Sequence, residues 1–242
     1  MSRSLYFPKR VPEPETMSRA EDHVFASVAK ERYGLWFLPL ADHIAAVSGL
    51  RDGMILDMAC GPGLLTRALA ERLPQAHIVA ADWSRTALKI AQKNITKKAR
   101  VEWKRVDVAH QPFADAAFDL VTCRDSFHHF PDALAALKEM YRVLRPGGIL
   151  YIQDLRRDIP WNILRDAVPP VTVFQRLQYI SVQAAYTMAE MRQLLRRAGF
   201  KRQQVLVRRM SPGVRRAFAR SEKDEVILRK SFQAHYIVIA KK

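Results

Sequence analysis

Cysteine is almost missing from this chain: Cys60 and Cys123 are the only two in 242 residues. Two cysteines build no disulfide framework, so a small stapled fold is excluded. No apolar run reaches the ~18 residues that a membrane-crossing helix needs. The opening stretch, MSRSLYFPKRVPEPE, is polar and broken by proline, and it has no apolar core of the secretory kind. Together these absences lead to the expectation of a soluble, cytoplasmic protein with no membrane span. Acidic residues are also short in number, 24 against 40 basic ones, for a net charge of +16.

What is present fits an ordinary globular chain. Apolar residues make up 49% and charged residues 26%, a balance that supports a full hydrophobic core. The positive charge is lopsided. Residues 1–150 hold 21 basic and 17 acidic side chains, whereas residues 151–242 hold 19 and 7. A basic half can serve an anionic partner such as RNA, a membrane surface or an acidic metabolite. Because the arginines are scattered, a solvated basic face explains the same counts equally well.

The pattern divides the chain into four stretches of one expected domain. Residues 1–49 form an N-terminal cap: a proline-broken lead, then helical spacing from Met17 to about Ser48, with Pro39 expected to divide two helices. Residues 50–154 alternate short apolar runs with helical segments. Strands are expected at Met54–Met58, His77–Ala81, Val101–Val106, Phe118–Cys123 and Ile149–Gln153. Helices are expected at Leu64–Leu73, from Ser84 as cap through Ala91, and from Pro131 to about Leu144, with Arg145–Gly148 as a turn. Residues 155–186 break the alternation with three prolines and read as an inserted lid. In residues 187–242 a Thr187–Glu190 capping box opens a helix that ends at Gly199. Two last strands follow at Val205–Arg208 and Tyr236–Ala240, separated by a charged connection at 211–230. Strands alternating with helices imply right-handed crossovers and an α/β fold: a doubly wound, mostly parallel, seven-stranded Rossmann-like sheet.

Ligands in such sheets sit beyond the carboxyl ends of the strands. Asp57, Asp82, Asp107 and Asp125 all fall at or just after strand ends, which suggests one acidic rim around one pocket. The stretch ILDMACGPGLL carries the turn between the first strand and its helix. It lacks the lysine of a phosphate-binding Walker loop. As a dinucleotide fingerprint it would place Thr66 where a small residue is needed, and Asp57 would repel a pyrophosphate. A negative group there suits a cationic ligand.

The stretch Asp57-Met-Ala-Cys-Gly-Pro-Gly63 resembles motif I of the class I S-adenosylmethionine (SAM) methyltransferases, D-x-[GA]-x-G-x-G, with Ala59 in place of the first glycine. FDLVTCRDSFHHFPD and EMYRVLRPGGIL are similar to the fourth- and fifth-strand motifs of the ubiquinone-biosynthesis-like branch (methyltransferase types 11 and 25). The resemblance covers about residues 50–154. It implies SAM as cofactor, held by Asp57, Ala59, Gly61, Gly63, Asp82, Trp83, Asp107, Val108 and Arg124. In that reading Asp82 accepts from the ribose hydroxyls, Asp107 from the adenine amino group, and Val108 covers the ring. Trp83 either stacks on the adenine or belongs to the core.

Methyl transfer from a sulfonium is a direct displacement, so much of the rate can come from alignment, and a base is needed only if the acceptor loses a proton. His128 is the candidate base, with His129 and Arg156 as candidates for the acceptor and Arg157 beside them; a salt bridge to Asp154 or Asp158 explains the arginines equally well. No metal site is expected, because too few ligands accompany the two histidines. The acceptor is expected to be a small molecule, anionic if the arginines face it, and chosen by the N-terminal helices with Tyr6, Tyr33 and Trp36 together with the lid. An RNA methyltransferase and a SAM-binding protein that transfers no methyl group are the competing functions. Against RNA stand the missing N-P-P-[YF] and Pro-Cys signatures.

Overall fold

In a computed structural model the described residues are 7, 9–13, 19–95, 99–160, 164, 172–210 and 234–242. The elements run α1 (Arg19–Glu31), α2 (Tyr33–Ser48), β1 (Met54–Met58), α3 (Leu64–Arg72), β2 (His77–Asp82), α4 (Arg85–Asn94), β3 (Val101–Arg105) and β4 (Phe118–Arg124). A 3-10 turn at Phe127–His129 leads to α5 (Ala133–Val143) and β5 (Leu144–Leu155). The chain then forms α6 (Val173–Ala184), α7 (Met188–Ala198), β6 (Val205–Arg209) and β7 (His235–Lys241). Among the described residues no helix is long and apolar enough to cross a membrane.

The seven strands make one sheet in the order β3-β2-β1-β4-β5-β7-β6. All pairings are parallel except those of β7, which runs antiparallel to both β5 and β6. The winding reverses between β1 and β4, the place where doubly wound sheets open a crevice. Alternation along the strands feeds two cores. Leu56, Met58, Val121, Cys123 and Ile152 face α5 and α7 on one side. Ile55, Ile78, Leu120 and Tyr151 face α2 and α3 on the other. Both cysteines are buried, as packing residues.

Three local expectations are corrected. Pro39 lies inside α2, and the chain breaks at Arg32 instead. A proline forfeits one helical hydrogen bond, but Pro39 sits in an apolar, buried face whose packing keeps the helix whole. The Arg145–Gly148 segment is not a free turn. It is a bulge at the start of β5, where the register with β4 jumps from Phe118–Leu144 to Leu120–Ile149. The inserted segment contains the regular helix α6, opened by a capping box of Thr172 and Gln175 that the sequence reading passed over. The capping box of Thr187 and Glu190 and the Gly199 ending of α7 stand as expected. The connection at 211–230 lies outside the described residues, as does Tyr6.

Candidate functional site

A cavity of about 870 Å³ opens at the carboxyl ends of β1, β2 and β4. Ala59, Gly61, Asp82, Trp83, Asp107, Val108, Asp125, His128 and His129 all line it. A smaller recess beneath shares Ala59, Gly61, Pro62 and Ser126 and adds Asp57, Phe37 and Arg124. The four acids therefore do not form one rim: three face the large cavity and Asp57 lies below.

The turn after β1 does the joining. Ala59, Gly61 and Gly63 all take left-handed backbone, with φ of 55°, 53° and 74°. The two glycines serve different purposes. A Cβ on Gly61 would meet nothing within 4 Å, so its side faces open space. A Cβ on Gly63 would stand 2.7 Å from Cβ of Ala91, so that glycine exists to let α4 pack. Gly63 lines neither cavity.

Asp57 is buried on the face toward α3. Parallel register sets Thr122 of β4 beside it, and Thr122 Oγ1 donates to Asp57 Oδ1 at 3.0 Å. Thr66 Oγ1 donates to Oδ2 at 2.5 Å. Burial outweighs these two bonds and pushes the Asp57 carboxyl up to about 6. Asp82 ends β2, where its Oδ2 accepts from the Gly61 N–H at 2.8 Å and its Oδ1 from the Ser84 N–H at 2.7 Å. Burial raises its pKa as well. Trp83 is not a core residue: it is 52% exposed, with the Arg105 guanidinium 4.4 Å above its ring.

Asp107 bonds its own loop through the Ala109 N–H and His110 Nδ1. That loop is gripped from behind by Arg142 of α5, which donates to the carbonyls of Phe113 and Gln111 and to Asp115 and Glu139. Arg124 pairs with Asp125 at 2.9 Å and stacks over Phe37 at 4.3 Å, leaving its buried Nε without a hydrogen-bond partner. Asp125, in left-handed backbone at φ 48°, also meets His235 at 3.1 Å.

His128 is buried, with its backbone N–H and its Nδ1 both held by Asp154, at 2.9 Å and 2.6 Å. Burial works against a charged ring, but the Asp154 carboxylate more than offsets it, and the pKa stands above the usual value. Nε2 of His128 has no partner and the residue lines the cavity. His129 pairs with Glu13 at 2.8 Å. Arg156 does not face the cavity: it is buried against Asp158, with Nε bonded to Oδ1 at 2.8 Å. Arg157 is spent on Glu190 and the carbonyls of Ala185 and Phe7. Neither arginine lines the cavity, because each has found backbone and carboxylate partners at the base of the insertion.

Comparison with known proteins decides what this geometry belongs to. Residues 55–148 match the family model described as a methyltransferase domain. Over these residues the chain carries a methyltransferase domain. A demethylmenaquinone methyltransferase of Deinococcus radiodurans is 35% identical over 157 residues, which cover 60% of this chain and 64% of that protein. A chloroplastic 2-phytyl-1,4-beta-naphthoquinone methyltransferase of Arabidopsis thaliana is 32% identical over 173 residues, 63% of this chain and 66% of that one. The chain thus spans somewhat under two thirds of the length of these curated relatives. The fold is shared with a SAM-dependent methyltransferase from Aquifex aeolicus, at TM-score 0.66 and 19% identity over 93% of this chain and 99% of that one. It is shared as well with the [4+2]-cyclase SpnF, at TM-score 0.58 and 20% identity over 84% and 79% of the two chains. One fold therefore hosts more than one reaction, and the site has to carry the argument.

Outside the motifs of the methyltransferase domain the structure adds residues that sequence reasoning missed. Phe174, Leu177, Gln178, Ile180 and Ser181 of α6 wall the cavity. Among the described residues the N-terminal helices reach the smaller recess through Phe37, whereas the lead contributes Glu13 to the large cavity. Tyr33 stacks on Phe37 and under Arg67, away from the cavity. An amphipathic count around Thr172 would have found α6; nothing local marks Glu13.

Proposed function

We propose that this chain transfers a methyl group from SAM to a small, hydroxylated aromatic acceptor of the quinol type, with the cytoplasm as its place of action. The observation that carries the reading is the turn after β1: open space over Gly61, bounded by the buried Asp57 and the half-buried Asp82, whose pKa values desolvation has raised. Two such carboxylates want a cation and hydrogen-bond donors, not a phosphate. When bound, SAM supplies a methyl group on a positively charged sulfur. Asp57, in the recess, attracts the cationic methionine end, and Arg124 offers its unpartnered Nε to the carboxylate there. Asp82 accepts from the ribose hydroxyls, Trp83 offers its exposed face to the adenine, and Asp107 with Val108 closes the ring's far edge. Ala59 and Gly61 give close backbone approach, and Gly63 keeps α4 in place behind them.

The rest of the cavity takes the acceptor. Its wall is apolar along α6, where Phe174, Leu177 and Ile180 stand. Its polar end is formed by His128 and His129, and an acceptor hydroxyl belongs at that end. The two curated relatives are named for demethylmenaquinone and for 2-phytyl-1,4-beta-naphthoquinone, which suits an apolar ring with oxygen substituents. Negative charge on the acceptor has no support from Arg156 or Arg157, which point elsewhere. Holding the acceptor atom, the methyl group and the sulfur in line is the main contribution of such a site. Equilibrium dialysis with SAM, followed by incubation with a reduced demethylnaphthoquinone and mass spectrometry, tests the reading. It predicts saturable SAM binding that Asp82→Ala weakens at least tenfold, and a product heavier by one CH₂. SAM binding indifferent to Asp82→Ala contradicts it.

A further inference from the structure

The N-terminal lead carries a carboxylate to a place that the sheet does not build. Val11 N–H donates to the Gln183 carbonyl at 3.1 Å. Arg10 donates through Nε to the Ala184 carbonyl at 2.5 Å and through Nη2 to the His128 carbonyl at 2.8 Å. Its guanidinium also covers the Tyr186 ring at 4.4 Å. Pinned this way, Glu13 enters the cavity beside His128 and His129. Ligand-capable atoms of the three residues lie within 4.8 Å of one another.

Two atoms there are orphaned. Oε1 of Glu13 and Nε2 of His128 are buried and have no hydrogen-bond partner. The side chain of Glu13 is only 10% exposed and that of His128 only 2%. Buried polar atoms are nearly always satisfied, so each exception calls for an explanation. Oε1 of the Glu13 carboxylate accepts, and with Nδ1 held by Asp154 the Nε2 of a neutral His128 ring accepts too. Two acceptors brought together at one wall call for a cation or a donor between them.

We propose that Glu13, His128 and His129 bind one divalent first-row transition metal ion whose open positions face the acceptor end of the cavity. Two imidazoles and one carboxylate suit zinc, iron or cobalt better than magnesium or calcium, which prefer oxygen throughout. Three protein ligands leave positions free, the arrangement of reactive rather than structural metal sites. The supporting partners are in place. Asp154 fixes the ring of His128 through Nδ1, as carboxylates do behind metal-bound histidines. His129 Nδ1 and Glu13 Oε2 stand 2.8 Å apart, and a metal ion would take the place of that direct contact. The two histidines alone had not sufficed for a metal in the sequence; the third ligand arrives from residues that precede the sheet.

The test uses the full chain, stripped by a chelator and titrated with Co²⁺, read by its visible absorption bands, with Zn²⁺ added afterwards as competitor. The expected result is one equivalent of Co²⁺ bound with nitrogen-ligand bands that Zn²⁺ abolishes. Glu13→Gln and His129→Ala each weaken binding more than tenfold. Asp154→Asn, which leaves all three ligands, weakens it about 10- to 100-fold. SAM binding, measured alongside, reports that each variant is folded. Absence of stoichiometric Co²⁺ binding overturns the proposal, as does equal affinity in Glu13→Gln and His129→Ala. Because no acceptor or methyl transfer enters the assay, failure here leaves the methyl-transfer reading untouched, and the reverse also holds.

Discussion

SAM affinity should rise with pH between 5 and 7, and Asp57 should be the reason. Burial sets the Asp57 carboxyl at about 6 against an ordinary value of 3.8. The raised value means that folding favours the protonated form. The stability it contributes is fully present below about pH 4 and is lost as pH rises through 6. Those two units correspond to about 3 kcal/mol as an upper bound. A cationic ligand needs the ionised form. If only ionised Asp57 attracts it, affinity follows the ionised fraction, which is about one in eleven at pH 5, one half at pH 6 and nine tenths at pH 7. The dissociation constant should therefore fall about tenfold from pH 5 to pH 7, as isothermal titration calorimetry can measure. Asp57→Asn should bind SAM more weakly at pH 7, change less than threefold over the same range, and unfold at a higher temperature at pH 8. A flat profile in the unaltered chain, or the same slope in Asp57→Asn, would refute the reasoning.

The glycines, the loop clamp and the lid give further tests. Gly63→Ala should cost about 2–4 kcal/mol in urea unfolding, since its Cβ collides with Ala91 and the backbone is left-handed. Gly61→Ala should cost only about 1–2 kcal/mol of stability, while weakening SAM binding through the Cβ it places in the open space. Equal effects of the two on stability would show that the glycines are interchangeable. Arg142→Met should destabilise by about 1–3 kcal/mol and speed amide exchange over 107–115, because the carbonyls of Gln111 and Phe113 lose their donor. Unchanged exchange would remove Arg142 as the clamp of the adenine-side loop. Leu177→Ala should raise the KM for the acceptor with the SAM dissociation constant unchanged; a shift in SAM binding alone would place α6 on the cofactor's side.

Much of this was legible in the sequence because it is written in local rules. Apolar runs that meet an acid mark β1 and β2, with Asp57 one residue before the end of β1 and Asp82 the last residue of β2. The caps of α4 and α7 follow from Ser84 and from Thr187 with Glu190. Where the reading failed, a tertiary contact overrode a local signal. Pro39 suggested a break, but its helix is buried along one face and holds. Gly61 and Gly63 look alike in a motif, and only the approach of Ala91 separates their roles. Arg156 and Arg157 pointed to an anionic acceptor until the fold supplied Asp158, Glu190 and backbone carbonyls for them. Glu13 left no trace at all, since a proline-flanked glutamate has no period and no cap to announce it.

The central claim is methyl transfer from SAM to a small molecule, and one measurement addresses it most directly. SAM labelled on its methyl group is incubated with the protein and a cell extract, which is then separated into RNA, protein, lipid and small metabolites. The account predicts label in the lipid or small-metabolite fraction, lost in Asp82→Ala. Label confined to RNA, or SAM bound with no label transferred to any fraction, would contradict it.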